Sequence, residues 1–535
     1  MGICQSTKNK NKQVQQPKKT DVEDKENISP NKGVDKEMDA EAGYKKNQPA
    51  TARTPAVAIN SDVIITRNDV NPELIYKKVK QLGTGAFGEV WLVKQKDLNK
   101  EFAMKIIHKK TKKASEEREI MNEIKILKTL DHPKILKIID FYSTNTDYYL
   151  ITEYCPLGEL FHEIEKVSVF EEGPASFIMN QIFRAVSYCH GMNIIHRDLK
   201  PENIMISSRE ENKCLQIKII DFGTAKTFEK GQPENRYVGS SYYVAPEVIQ
   251  RKYNEKCDLW SCGVIMYILL TGRPPFEGDD DKEIIQKVKT GKYDTSSPPF
   301  PSLSYEAKDL IRKLLEIDVK KRISAVEALN HKWFQTSKFK DKDRVNTIST
   351  ALAKKLIENL KNYHSKNMLR CAVIAYLVHH NTNMQQCNEA SKLFNKIDLN
   401  GDGKIEKHEL LEGMMNYWKL PRLQIEKEVD VIFDNIDTDH NGYIEYEEFI
   451  RAAIDQDYFL TNNYLKFAFN YFDRDNSGEL SIDEILKRFM QNAKNSKDPQ
   501  VEKELRETFD SIDINHDGSI SFAEFCKMMK NIISK

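Results

Sequence analysis

One twelve-residue design recurs four times in the C-terminal part of this chain, and it dictates the local fold wherever it occurs. The copies run Asp398–Glu409, Asp437–Glu448, Asp473–Glu484 and Asp513–Glu524. Each has oxygen-bearing side chains at positions 1, 3, 5, 9 and 12, glycine at position 6 and Ile or Leu at position 8. The glycine permits a sharp turn, the oxygens converge on one point, and the last glutamate closes the shell from the following helix. The expected ligands are Asp398, Asn400, Asp402, Lys404 and Glu409 in the first copy, and Asp437, Asp439, Asn441, Tyr443 and Glu448 in the second. In the third they are Asp473, Asp475, Ser477, Glu479 and Glu484, and in the fourth Asp513, Asn515, Asp517, Ser519 and Glu524, the seventh position serving through its carbonyl. The flanking segments are amphipathic at helical spacing, so each copy is a helix–loop–helix and four copies imply two paired lobes. Hard oxygen donors in flexible loops select Ca²⁺ over Zn²⁺, in a sensor range of about 10⁻⁷ to 10⁻⁵ M. The carboxylate count varies among the copies, so unequal sites are expected. Phe433, Phe489 and Met528 either line a groove opened by the cation or belong to the core.

At 535 residues the chain exceeds what one core supports, so several domains are expected. Lysine plus arginine (81) balance aspartate plus glutamate (81), which gives no electrostatic footprint for nucleic acid. The apolar run Gly263 to Leu270 falls far short of the roughly 20 residues of a membrane span. Nine scattered cysteines without a CxxC pair indicate a reducing, cytosolic setting. Residues 1 to about 70 are polar and poor in large apolar side chains, which predicts a disordered arm. That arm opens Met1-Gly2-Ile3-Cys4-Gln5-Ser6, the acceptor pattern for myristoylation of Gly2, with Cys4 placed to take palmitate. Two acyl chains with Lys8, Lys10, Lys12, Lys18 and Lys19 give firm attachment to an anionic leaflet, so a place on the cytosolic face of a membrane is expected.

Between Tyr76 and Phe334 the texture shifts from β-type runs (EVWLVK, EFAMKII, YYLITEY) to long helical patterns such as AKDLIRKLLEI. A glycine-rich turn, Gly83-Thr84-Gly85-Ala86-Phe87-Gly88-Glu89-Val90, is followed by Ala103-Met104-Lys105 and then by His196-Arg197-Asp198-Leu199-Lys200-Pro201-Glu202-Asn203. Asp221-Phe222-Gly223 and Ala245-Pro246-Glu247 come after. Five motifs in this order resemble the eukaryotic protein kinase family over residues 76–334.

The resemblance implies ATP and Mg²⁺ as cofactors. Leu82 to Val90 would close over the phosphates, and Lys105 would hold the α and β phosphates. Its carboxylate partner is Glu123, with Glu119 one turn earlier as the alternative. Asn203 and Asp221 would hold Mg²⁺, Asp198 would accept the hydroxyl proton, and Lys200 would meet the transferred phosphate. The hinge, Leu150 to Cys155, would bind adenine through the backbone of Glu153 and Cys155, with Thr152 at the back of the pocket. Glu159 and Glu202 match carboxylates of kinases that prefer basic residues near the acceptor, although Glu159 is also placed to touch the ribose. The Asp-Leu-Lys-Pro-Glu-Asn run and Gly239-Ser240 resemble serine/threonine kinases. One departure stands out: where many calcium-dependent kinases have an acidic residue facing Arg197, this chain has Arg236, with Glu234 offset.

Ile348, Leu352, Leu356 and Leu360 make one apolar stripe in the connecting stretch. A kinase joined to four such loops resembles the calcium-dependent protein kinases of plants and protists, whose loops are EF-hands. The expected architecture is an α+β bilobal protein kinase fold followed by an all-α calmodulin-like domain with two pairs of EF-hands. The expected segments are 1–70, 76–334, 343–385 and 386–535. The resemblance makes 343–385 an autoinhibitory junction, with Lys354 and Lys355 mimicking a basic protein substrate. Nothing in the sequence demands more than a monomer, and a scaffold without turnover is disfavoured because Lys105, Asp198, Asn203 and Asp221 are all present.

Overall fold

The computed structural model describes residues 65, 67–68, 71–85, 88–109, 114–210, 214–336, 348–363, 368–381, 385–417, 421–490 and 499–530. Gly2, Cys4, Ala86, Phe87 and residues 343–347 therefore lie outside the described residues. The arm predicted through about residue 70 ends earlier than its composition suggested. Ile65 is fully buried in the main core, and β1 (Arg67–Asn68) pairs in parallel with β5 (Ile138–Ser143). A short apolar patch in a polar arm carries too little weight in composition to reveal such docking.

The β-type runs form the rest of one six-stranded sheet, ordered β1-β5-β6-β4-β3-β2, where β2 is Tyr76–Gly85, β3 Gly88–Gln95, β4 Glu101–His108 and β6 Asp147–Glu153. Period-two alternation along β4 buries Phe102, Met104 and Ile106 on one face and leaves Lys105 on the other. At Gly88 a Cβ would fall 1.8 Å from the Ile106 carbonyl oxygen, so only glycine allows β3 to leave the phosphate turn this close to β4.

The second lobe is built round the Cys257–Thr271 helix, all of whose residues are buried. Its apolar run is that of a helix enclosed on every side. A Cβ on Gly263 would approach Leu314 Cβ to 2.8 Å, which marks the close crossing of the Tyr305–Leu314 helix. Glu247 and Arg322 form a buried ion pair that braces this lobe, with Arg322 also lying over the Trp260 ring.

In the C-terminal half, Ile405 bridges Ile444, and Glu479–Ser481 pairs with Ser519–Ser521, so the four loops couple two by two. The residues at position 8 are thus the ones that join each pair. In the connecting segment, the Thr350–Asn362 helix buries Ala353, Leu356, Ile357 and Leu360 against the first EF-hand pair. The next helix, Met368–His379, is buried over nearly its whole length. Among the described residues, no helix is long and apolar enough to cross a membrane, and every cysteine is a free thiol.

Candidate active site and cation-binding loops

The strands and loops of the two kinase lobes bring the predicted phosphoryl-transfer residues together. Lys105 Nζ lies 3.4 Å from Glu123 Oε1 on the Ala114–Thr129 helix. Burial raises the Glu123 carboxyl above its ordinary range, and the Lys105 charge offsets only part of the rise. The alternative, Glu119, is taken at 2.9 Å by Arg236 of the activation segment. Asp198 Oδ2 accepts from Lys200 Nζ at 2.8 Å and from Asn203 Nδ2 at 3.2 Å. Asn203 also donates to the Asp198 carbonyl at 2.8 Å, which commits its amide nitrogen and leaves its oxygen to serve a cation. Asp221 is exposed and left-handed (φ 62°), and its carboxylate accepts from Gly223 N at 3.3 Å. An exposed carboxylate beside an amide oxygen is a donor set that suits Mg²⁺.

The catalytic loop is fixed from beneath by Asp258, which accepts from the backbone N–H groups of His196 (3.0 Å) and Arg197 (2.9 Å) and lies 2.9 Å from His190. Burial would raise Asp258, but these partners hold it below the ordinary carboxylate range. Phe222 is buried edge-on against His196. Arg197, which the sequence left without its usual acidic partner, donates instead to the Thr224 carbonyl (2.6 Å) and the Tyr253 hydroxyl (3.3 Å). Glu234 pairs with Lys226 at 2.7 Å. The segment is thus held by neutral acceptors and by the Arg236–Glu119 bridge to the first lobe.

Ser240 is a site residue absent from the candidates chosen for chemistry. Its hydroxyl donates to Asp198 Oδ1 at 3.1 Å and accepts from Lys200 Nζ at 3.1 Å. Its place after Gly239, in the pair that resembles serine/threonine kinases, was the available signal. At the hinge, the Glu153 side chain does not face the nucleotide: its Oε1 accepts from Lys137 N (2.8 Å) and Lys218 Nζ (2.7 Å). Only its backbone is available to adenine. Burial pushes the Cys155 thiol up to about 12, which makes it inert at neutral pH. Glu159 caps the Leu160–Val167 helix without a side-chain capping bond. Burial, with the nearby Glu159 and Asp198 charges, raises Glu202 despite Lys200, and Glu202 Oε2 is buried without a hydrogen-bond partner among the described residues.

The four loops share one geometry. The sixth-position glycines have φ of 80°, 90°, 86° and 86°, a region side chains disfavour. Each glycine N–H donates to the first aspartate: 3.2 Å for Gly403–Asp398, 3.1 Å for Gly442–Asp437, 3.0 Å for Gly478–Asp473 and 2.9 Å for Gly518–Asp513. Carboxylate oxygens of Asp437, Asp439 and Glu448 lie within 4.8 Å of one another, as do those of Asp473, Asp475 and Glu484, which fits a single Ca²⁺ in each. In the first loop Glu409 closes back on Leu399 N (3.0 Å) and Asn400 N (3.2 Å), and Lys404 lies over the Tyr443 ring. In the fourth, Glu524 accepts from Ile514 N at 3.0 Å, and the Ser519 hydroxyl lies at 2.9 Å from both Asp517 Oδ1 and Glu479 Oε2, to which it donates. Asp398 differs from its counterparts: Arg184, on the Glu172–Gly191 helix of the kinase, lies 3.2 Å from its Oδ2.

The first EF-hand pair and the connecting helix are seated on the kinase by buried polar contacts. Glu447 forms an ion pair with Lys137 and lies 3.1 Å from His379 Nδ1, and its N–H donates to Asp131 at 2.6 Å. His379 Nε2 lies 3.2 Å from the Ile139 carbonyl, and His380 lies 3.5 Å from Asp140. Burial would raise Glu447, but Lys137 and His379 hold it well below the usual carboxylate range.

Fold and site together define a bilobal protein kinase carrying two pairs of EF-hands. The protein kinase domain family matches residues 76–334, and the EF-hand domain pair matches 388–454 and 462–530. Calcium-dependent protein kinase 4 of Plasmodium berghei is 40% identical over 464 residues, spanning 85% of this chain and 86% of its own. Calcium-dependent protein kinase 33 of Arabidopsis thaliana is 35% identical over 488 residues, spanning 91% and 90%. The chain belongs to the calcium-dependent protein kinase family.

Proposed function

We propose that this serine/threonine kinase is switched on when Ca²⁺ fills its EF-hands and seats them behind the hinge, with the junction helix withdrawn from the catalytic cleft. The observation that carries this reading is the position of the Thr350–Asn362 helix. It packs against the EF-hand helices, with Lys361 3.3 Å from Glu428 and Lys355 3.8 Å from Asp455, while Lys105–Glu123 and the Asp198 cluster are assembled. Lys354 and Lys355 would reach the substrate site only in the calcium-free arrangement. Such a switch requires Ca²⁺ to bind the seated arrangement more tightly than the other.

In the active arrangement Asp198 orients the acceptor hydroxyl and takes its proton, and Lys200 and Lys105 steady the phosphates. Asp221 and the Asn203 oxygen would hold Mg²⁺, which would screen the phosphate charge. Ser240 positions Asp198 and Lys200. The buried, partnerless Glu202 oxygen beside Glu159 supports a preference for basic residues near the acceptor. Activity on a basic serine peptide with Mg·ATP is expected to rise steeply across about 10⁻⁷ to 10⁻⁵ M free Ca²⁺. High activity that ignores Ca²⁺ would remove the inhibitory role of the junction.

The N-terminal sequence supports acylation at Gly2, with Cys4 as a second acceptor, and a place on the cytosolic face of a membrane. Gly2→Ala is expected to move the protein from the membrane to the soluble fraction on cell fractionation. Undiminished membrane attachment would discard the motif.

A further inference from the structure

Behind the hinge the kinase and EF-hand halves line a partly open cavity of about 920 Å³, within the range of small-ligand pockets. Its lining includes none of Lys105, Asp198, Asn203 or Asp221, so it is separate from the phosphoryl-transfer site. Lys134, Lys218 and Glu210 stand on the kinase wall, and Lys392 and Asn395 on the EF-hand wall.

Six lysines line the cavity against four carboxylates, and the pairs that do form leave cations over. Lys218 is matched to Glu153, and Lys137 to Glu447. Lys134 Nζ instead donates to the neutral Gln216 amide oxygen at 2.5 Å and, among the described residues, forms no ion pair. Gln216 in turn donates to Glu210 Oε1 at 2.6 Å, which places a cation and a carboxylate on either side of one amide. Two further groups lack partners: Glu210 Oε2 and Asn395 Oδ1 are buried acceptors with no hydrogen bond among the described residues. Orphaned buried acceptors are costly, and a half-buried cation without an ion-pair partner adds to the imbalance; each points to a missing partner of opposite kind. Burial, then Lys218, pushes Lys134 down to about 7, with the Glu210 and Glu153 carboxylates opposing the shift only in part.

We propose that this interdomain cavity binds a phosphorylated polyol, its phosphate on Lys134 and its hydroxyls on Glu210 and Asn395. A bare anion would leave the two acceptors unsatisfied, and an uncharged polyol would leave Lys134 unmatched. Because the walls come from both halves, a ligand bound here favours the seated arrangement and its affinity depends on that arrangement. This last dependence rests on the calcium switch proposed above.

The test is calorimetric titration of the full-length protein in Ca²⁺ with inositol trisphosphate. Saturable binding is expected, weakened about tenfold or more by Lys134→Gln and by Asn395→Leu, one on each wall. Both variants should keep the melting temperature and the peptide kinase activity of the parent. Absence of saturable binding, or binding that neither variant changes, overturns the proposal. If one variant misfolds, the other decides. Vesicles carrying phosphatidylinositol bisphosphate form the second arm: Lys134-dependent vesicle binding would make a lipid headgroup the source, and binding of the soluble ester alone a free metabolite. Binding that survives calcium chelation unchanged would support the cavity while counting against the calcium-driven seating.

Discussion

Asp198→Asn is expected to lower phosphoryl transfer by a factor of about 10² to 10⁴ while Ca²⁺ binding and folding stay as they are. The substitution keeps the shape of the side chain but removes the negative charge on which three donors converge: Lys200 at 2.8 Å, Asn203 at 3.2 Å and Ser240 at 3.1 Å. An amide in that place takes no proton from the acceptor hydroxyl and holds Lys200 less firmly. Lys105–Glu123 lies on the other lobe and is untouched, so nucleotide binding should survive. The measurement is steady-state turnover on a serine peptide, with nucleotide binding followed in parallel. Turnover within a few-fold of the parent would take the base assignment away from Asp198.

Glu447→Ala is expected to impair calcium activation rather than chemistry. Glu447 is the eleventh residue of its loop and the ligand is Glu448, so the cation site should persist. The seated arrangement would lose the carboxylate that Lys137 and His379 share. Lys137 and Glu447 are only 14% and 13% exposed, and truncating one member of such a pair costs about 3 kcal/mol, some two orders of magnitude in the seating equilibrium. The expected result is a large rise in the Ca²⁺ needed for half-maximal activity, or a maximum that is no longer reached. A calcium–activity curve that superimposes on that of the parent would mean that this contact does not belong to the active arrangement. Direct Ca²⁺ titration of the variant separates a seating defect from a damaged loop.

The chemistry was readable because its motifs are local. Asp198, Lys200 and Asn203 lie within six residues, and a twelve-residue loop carries its own ligands, so backbone constraints bring each set together wherever the segment sits. The apolar stripe of Ile348, Leu352, Leu356 and Leu360 was legible in part: Ile348, Leu356 and Leu360 are buried, Leu352 is half-buried, and Ala353 and Ile357 complete the face, since spacing reports a helical side but not which surface covers it. The choice between Glu119 and Glu123 could not be made from spacing, since one turn apart they share a face. The fold places Glu123 Oε1 3.4 Å from Lys105 Nζ, while Glu119 pairs with Arg236 of the activation segment.

What the sequence alone determined is the two sets of chemical groups, their order, and the helical or extended character of the segments that bear them. Tertiary structure decided what those segments touch. The Glu153 side chain turns to Lys218, Ser240 enters the Asp198 cluster, Arg184 meets the first loop at Asp398, and Glu447 meets Lys137. Each of these contacts joins residues far apart in the chain, and charged side chains outside a motif look alike until the fold removes water from between them. Their pairing is a consequence of burial, and burial is a property of the packed structure.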